Sequence, residues 1–218
     1  MRLKDKVAIV TGGAQGIGRA IALGLAKEGA HVVIADVQKT KATETATEIR
    51  EVGRRSLALE VDVVDLSALA RMVDETVEAF GSLDILVNNA GISMPTPFFE
   101  TSEGEWDRIM DINLQGVFLA SQYASESMKK SGAGKIVNVA STSAYVAGRQ
   151  EIPYAVSKAG VRMLTTALSA ELAPYHINVN AIAPGLIKTP MTEKYFPSPE
   201  ALEARVASKV PMGRAGNP

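Results

Sequence analysis

Val7-Ala8-Ile9-Val10-Thr11-Gly12-Gly13-Ala14-Gln15-Gly16-Ile17-Gly18 carries an apolar run straight into a glycine-rich turn. Val7 to Val10 reads as a strand buried on both faces, and the stretch from Gly16 to Glu28 has helical spacing. Gly12, Gly16 and Gly18 therefore sit where a strand passes tightly into a helix. A helix that starts this way offers unpaired N-H groups and the positive end of its dipole, which favour an anion such as a pyrophosphate. A glycine cluster alone is a weak signal, and its weight comes from the residues downstream of it.

Outward from this turn, apolar runs alternate with helical stretches. The expected strands are Val7 to Val10, His31 to Ala35, Ser56 to Val61, Ile85 to Asn88, Lys135 to Val139 and Ile177 to Ile182. Between them the expected helices are Gly16 to Glu28, Lys39 to Val52, Leu66 to Phe80, Ser102 to Lys130 and Pro153 to Ala173. That alternation is the pattern of an α/β fold with a parallel sheet covered on both faces. Gly29 and Gly53 stand where left-handed helix caps belong, and Ser102-Glu103-Gly104-Glu105 has capping-box spacing. Pro197 and Pro199 are read as a late loop ahead of a short amphipathic helix, Glu200 to Val210, placed to cover a site. No repeat or linker interrupts the series, so residues 1–218 are read as one domain.

Asp36 ends the second strand about twenty residues beyond the turn, where a carboxylate accepts hydrogen bonds from an adenosine ribose. The same carboxylate repels a 2′-phosphate. Val37, Gln38 and Gln15 bring no base to offset it, so the expected cofactor is NAD rather than NADP.

The second informative stretch is Ser141 followed by Tyr154-Ala155-Val156-Ser157-Lys158. On a helix, residues four apart share a face, which brings the Lys158 ammonium toward the Tyr154 phenol. An unperturbed tyrosine titrates near pH ~10, and acting near neutrality asks for a drop of roughly three units, or ~4 kcal/mol. One cation at ~4 Å with an effective dielectric of ~20 supplies about that much. Tyr145 and Arg149 have the same spacing, but Gly148 between them argues for a loop. Ser143 competes with Ser141 for the hydroxyl role, and spacing alone leaves both open.

Taken together, Thr11-Gly-x-x-x-Gly16-x-Gly18, Asp62, Asn88-Asn89-Ala90-Gly91, Asn113, Ser141, Tyr154-x-x-x-Lys158 and Pro184-Gly185 resemble the short-chain dehydrogenase/reductase family in its classical branch. The resemblance implies a Rossmann-like doubly wound parallel sheet of strand order 3-2-1-4-5-6. It implies that Tyr154 is the general acid/base and that Ser141 hydrogen-bonds the substrate oxygen. Lys158 would hold the nicotinamide ribose and lower the Tyr154 pKa, with Asn113 fixing a water that relays protons. Gly12, Gln15, Gly16, Ile17 and Gly18 would form the phosphate turn, with Asp36 on the ribose and Asp62 and Val63 on the adenine. Asn89, Ala90 and Gly91 would line the cofactor floor, and Pro184, Gly185, Ile187 and Thr189 would meet the carboxamide end. A substrate would be framed by Ser93, Met94, Thr96, Tyr145, Arg149, Gln150, Ile152, Leu186, Met191 and Tyr195, beside Ser141 and Tyr154. The family also implies a homotetramer or dimer. It usually continues past Pro211 to Pro218 with another helix and a last strand, so Ile177 to Ile182 is expected as an open sheet edge and the chain as a portion of a longer protein.

Composition narrows the alternatives. With 23 Lys+Arg against 24 Asp+Glu, the net charge of -1 gives no electrostatic reason to expect nucleic acid or an anionic membrane as partner. The absence of cysteine from the 218 residues removes disulfides, zinc thiolates and thiol catalysis. No signal peptide or spanning segment is read, and a soluble cytoplasmic protein is expected. His31 and His176 head strands, away from any serine and carboxylate, which argues against a hydrolase triad, and no metal-ligand cluster is read. Trp106, Ile109, Ile112 and Phe118 are read as packing, in part against a partner subunit. The expected activity is NAD-linked interconversion of a secondary alcohol and a ketone, with a 3-oxoacyl thioester, a sugar or polyol, or a small cyclic alcohol as substrate. The alternative reading is a dinucleotide-binding scaffold or redox sensor without turnover.

Overall fold

Six strands form the sheet in a computed structural model that describes residues 1–196 and 198–218: β1 Val7–Thr11, β2 His31–Asp36, β3 Ser56–Glu60, β4 Ile85–Asn88, β5 Gly134–Val139 and β6 Ile177–Ile182. All pairs are parallel and the order is β3-β2-β1-β4-β5-β6, the expected Rossmann-like arrangement. Successive side chains of a strand point to opposite faces, so the central strands feed two cores. Ile9, Val33, Leu86 and Ile136 meet Leu69 and Met72 of α3 (Leu66–Phe80) and Ala120, Ala124 and Met128 of a later helix on one side. On the other side Val10, Ile34 and Val87 pack on alanines of α1 (Gly16–Lys27) and α2 (Lys39–Glu51). Alanine on both helices lets them lie close to the sheet.

The order reverses at β1, which has β2 on one side and β4 on the other. From there the chain runs to α1 on one face after β1 and to the helices of the other face after β4, which makes the carboxyl ends of these strands the usual ligand position in such sheets. Asn89 stitches the two loops together: its side-chain amide donates to the Thr11 carbonyl at 3.0 Å and the Gly12 carbonyl at 2.9 Å. Thr11 Oγ1 in turn accepts from the backbone N-H of Asn89 at 3.0 Å and of Ala90 at 3.1 Å.

The expected long helix Ser102 to Lys130 is instead three pieces: α4 (Glu103–Met110), a π-helical turn over Asp111–Gln115, and α5 (Gly116–Ser131). Its start is as read, since Ser102 Oγ accepts from Glu105 N-H at 3.2 Å and Glu105 Oε2 accepts from Ser102 N-H at 3.1 Å. The π turn surrounds Asn113, whose side chain leaves the helix to hold the backbone of Ile92. That tertiary contact is invisible to helix periodicity. Downstream, α6 (Ile152–Leu172) carries Pro153 in its first turn, where a missing N-H costs nothing.

Pro199, read as loop, begins α8 (Pro199–Lys209), and a short helix α7 (Pro190–Tyr195) precedes it, capped by Thr189. Pro197 lies outside the described residues. The left-handed caps at Gly29 and Gly53 are present, at φ +104° and +81°. β6 is an edge strand as expected: Ile177 and Val179 are buried while Asn178, Asn180 and Ile182 are exposed.

Candidate active site

The glycine turn is set by close approach. A Cβ on Gly18 would lie 2.1 Å from the Gly12 carbonyl oxygen, and one on Gly12, at φ +64°, would lie 2.8 Å from Ala90 Cα. Only glycine lets the start of α1 settle against its own turn and the β4 loop. Gln15 caps α1 without a side-chain hydrogen bond, so the first N-H groups of the helix have no side-chain acceptor. The Gln15 side chain instead accepts from Lys41 Nζ at 3.0 Å, bringing to the turn a base that lies far from it in sequence.

Asp36 is buried, and its two carboxylate oxygens accept from Ala14 N-H at 3.1 Å and Gln38 N-H at 2.9 Å. It is thereby fixed beside the turn with acceptor capacity left over. Asp62 is exposed and Val63 buried, both just past β3. Thr189 faces the turn from the other wall, since a Cβ on Gly16 would meet its side chain at 3.4 Å. Pro184 and Gly185 lie against Thr142, whose N-H donates to the Pro184 carbonyl at 3.0 Å, and Ile187 pairs with Gly216.

Tyr154 and Lys158 occupy successive turns at the start of α6. Lys158 is 4% exposed, its Nζ donates to the Val139 carbonyl at 2.8 Å, and it stands 5.8 Å from the centre of the Tyr154 ring. Burial lowers the Lys158 pKa to about 8. The spacing thus delivers proximity, but the electrostatic outcome differs from the one read from spacing alone. Burial pushes the Tyr154 phenol above its ordinary value; the facing Ser141 hydroxyl acts downward, and Glu151 and Tyr195 act upward. Lys158 points its ammonium at the Val139 carbonyl, and desolvation of the phenolate is the largest cause of the shift on Tyr154.

Ser141 and not Ser143 faces the phenol. Ser141 is buried and accepts from Ser143 N-H at 3.1 Å, while Ser143 Oγ donates to Glu151 at 3.4 Å. Asn113 is fully buried: its Oδ1 accepts from Ile92 N-H at 2.8 Å and its amide donates to the Ile92 carbonyl at 2.9 Å and to Ser157 Oγ at 3.1 Å. Gly91 joins the two halves of the site, because a Cβ there would meet Asn113 Oδ1 at 3.2 Å and Lys158 Nζ at 3.5 Å. The uncapped helix start, the glycine cradle and the bare floor at Gly91 fit a dinucleotide laid from the turn to Lys158.

The structure gathers Asn89, Ala90, Gly91, Asn113, Ser141, Tyr154 and Lys158 at the carboxyl ends of β4 and β5. Ser93 joins them by facing the Tyr195 phenol. Leu186 is half-buried and Met191 36% exposed on the far wall. Tyr145, Arg149 and Gln150 stay at the surface, Tyr145 with Arg162 stacked over its ring at 5.1 Å. Sequence reasoning missed Glu151, Arg205 and the Val139 carbonyl, none of which has a spacing signal.

The residues from Lys6 to Glu200 match the family model for short chain dehydrogenases. The chain belongs to the short-chain dehydrogenase/reductase family. Within the family it is 40% identical, over 218 residues, to the (2S)-[(R)-hydroxy(phenyl)methyl]succinyl-CoA dehydrogenase subunit BbsD of Thauera aromatica, covering 100% of this chain and 86% of that one. A cyclopentanol dehydrogenase of Comamonas testosteroni is 39% identical with the same coverage, 100% and 86%. The solved structure of a short-chain type dehydrogenase/reductase from Mycobacterium marinum superposes with a TM-score of 0.93 at 36% identity, over 99% of this chain and 84% of that one. As a short-chain dehydrogenase/reductase, the chain is an oxidoreductase of CH-OH groups and ketones that takes a nicotinamide dinucleotide. Among the described residues no helix is long and apolar enough to cross a membrane, and no group of three or more His, Asp or Glu is placed to hold a metal ion.

Proposed function

We propose that this enzyme interconverts a secondary alcohol and a ketone with NAD, using Tyr154 as the general acid/base. The observation that carries the reading is the convergence of the Ser141 hydroxyl, the Tyr154 phenol and the Lys158 ammonium beside Gly91. The bound dinucleotide supplies hydride chemistry. Ser141 then positions the substrate oxygen. Tyr154 gives that oxygen its proton during reduction and takes the proton back during oxidation. A phenol held protonated by burial starts as the acid, which suits ketone reduction.

Lys158 has one donor committed to Val139, and its other two are available for ribose hydroxyls on the Gly91 floor. Asn113 anchors Ile92 beside that floor and, in this reading, holds a water that returns protons to Lys158. Gln15, Ile17, Asp62, Val63, Pro184, Gly185, Ile187 and Thr189 complete the cofactor wall.

The NAD preference rests on Asp36, a carboxylate fixed by two backbone N-H groups, which would meet a 2′-phosphate as an anion. Lys41 is the observation on the NADP side, although Gln15 already engages its ammonium. The names of the two relatives, a dehydrogenase of a hydroxyl-bearing acyl-CoA and a cyclopentanol dehydrogenase, support a 3-oxoacyl thioester and a cyclic alcohol in a test panel that also carries a polyol. Exposed Phe98, Phe99, Trp106 and Phe118 support a homo-oligomer built through the region from the β4 loop to α5.

The test is turnover of that panel with each cofactor, beside Tyr154→Phe. We expect NAD to be preferred, and the variant to lose ~10²–10⁴-fold in kcat with NADH affinity retained in calorimetry. A clear NADP preference overturns the cofactor choice, and a fully active variant overturns the role of Tyr154.

A further inference from the structure

Glu151 caps α6 three residues before Tyr154, and the sequence reading gave it no role. The residue before it, Gln150, has φ +63°, an uncommon value outside glycine, and its carbonyl accepts from Thr96 N-H at 3.1 Å. The turn so made places the Glu151 carboxylate against the loop after β5. Its Oε2 accepts from Ser143 Oγ at 3.4 Å and Gly148 N-H at 3.3 Å, and its Oε1 from Arg205 Nη2 at 3.2 Å. A Cβ on Gly148 would come within 2.9 Å of Glu151 Oε1 and 3.1 Å of Arg205 Nη2, so glycine there makes room for the pair.

Arg205 is 54 residues away, on α8. Among the described side chains of α8, Val206 alone is buried. An element with so little apolar anchorage opens at a small fraction of the global unfolding free energy. The pair is 34% and 23% exposed, more sheltered than a surface bridge. On the adjoining α7, Tyr195 faces Ser93.

We propose that Arg205 is a positioning residue: its ion pair with Glu151 latches α8 to the start of α6 and offsets the carboxylate that caps that helix three residues before Tyr154. The inference rests on the reading of Tyr154 as the acid/base. The charged and titratable groups around the phenol are Glu151 and Lys158 from its own helix and Tyr195 from α7, with the Ser141 hydroxyl from the end of β5. Of these, Glu151 alone is tied to α8 among the described side chains. An unpaired carboxylate disfavours a nearby phenolate, and pairing it with a guanidinium removes much of that effect. Docking of α8 through this pair and the charge environment of the phenol are thereby coupled.

The test compares Arg205→Gln, Arg205→Lys, Glu151→Gln and the double variant Glu151→Gln/Arg205→Gln in the full chain. Three readouts are used: ultraviolet titration of the Tyr154 phenol against Tyr154→Phe, hydrogen exchange of α8, and the pH profile of alcohol oxidation. Arg205→Gln is expected to move the phenol titration and the rising limb of oxidation upward by on the order of one pH unit, and to speed exchange in α8. Arg205→Lys should stay near wild type. Glu151→Gln and the double variant should bring the titration back to or below wild type while α8 still exchanges quickly.

An unmoved titration in Arg205→Gln, or a change confined to KM, overturns the latch, whatever happens to kcat. The two ideas fail separately. The titration and the exchange need no turnover, whereas the acid/base reading falls only if Tyr154→Phe remains active.

Discussion

Lys158 shows how much one buried charge is made to do. Its ammonium sits 4% exposed with one carbonyl acceptor, and its pKa falls from 10.5 to about 8. For a base whose folded pKa is depressed, the unfolded chain binds the extra proton between those two values. Stability therefore rises with pH across the window from about 8 to 10.5. Lys158→Met should abolish that rise, measured as the urea midpoint against pH for both proteins; an identical pH dependence in the two would show that the ammonium is not held as described. At this scale Tyr154, Lys158, Ser141 and Asp36 were readable because their chemistry is tied to fixed spacing from a strand end or helix start. Glu151, Arg205 and Lys41 were not, because Glu151 and Arg205 are 54 residues apart and Lys41 lies 26 residues from Gln15.

At the scale of elements, the strands and helices that bear the site are joined beneath it by a buried polar rung. Asn88 of β4 donates to Ser121 Oγ of α5 and to Asn138 Oδ1 of β5, both at 2.9 Å, and Asn138 donates to Thr165 Oγ1 of α6 at 2.9 Å. All four are buried. Asn138→Leu would leave Asn88 and Thr165 short of partners in a dry interior. We expect a loss of about 2–4 kcal/mol, seen as a lower urea midpoint at unchanged m-value. A loss under ~0.5 kcal/mol would mean that the rung is not structural. The apolar runs of these strands and the Ser102–Glu105 cap were legible as patterns. The π turn at Asn113 was not: it exists because an amide side chain reaches Ile92, and periodicity carries no information about that reach.

At the scale of the whole molecule, Ile109 is fully buried and Ile112 packs on the core, while Trp106 and Phe118 remain 36% and 43% exposed. The residues read as packing, in part against a partner subunit, thus divide between the core and the surface. Phe98 and Phe99, 65% and 97% exposed, extend that surface as an edge-on pair with ring centres 5.2 Å apart. We expect light scattering to give a mass at least twice 23.1 kDa, and Trp106→Glu with Phe118→Glu to shift it toward the monomer; a wild-type monomer at micromolar concentration would count against the assembly. What the sequence alone determined was everything local or strictly periodic: six strands, the helices between them, a turn only glycine can make, and a tyrosine one helical turn from a lysine. What only the tertiary structure decided was which charges meet. The sign of the shift on Tyr154, the pairing of Glu151 with Arg205 and the side of Asn113 that bonds Ile92 depend on burial and on groups remote in sequence, and burial is a property of the packed chain as a whole.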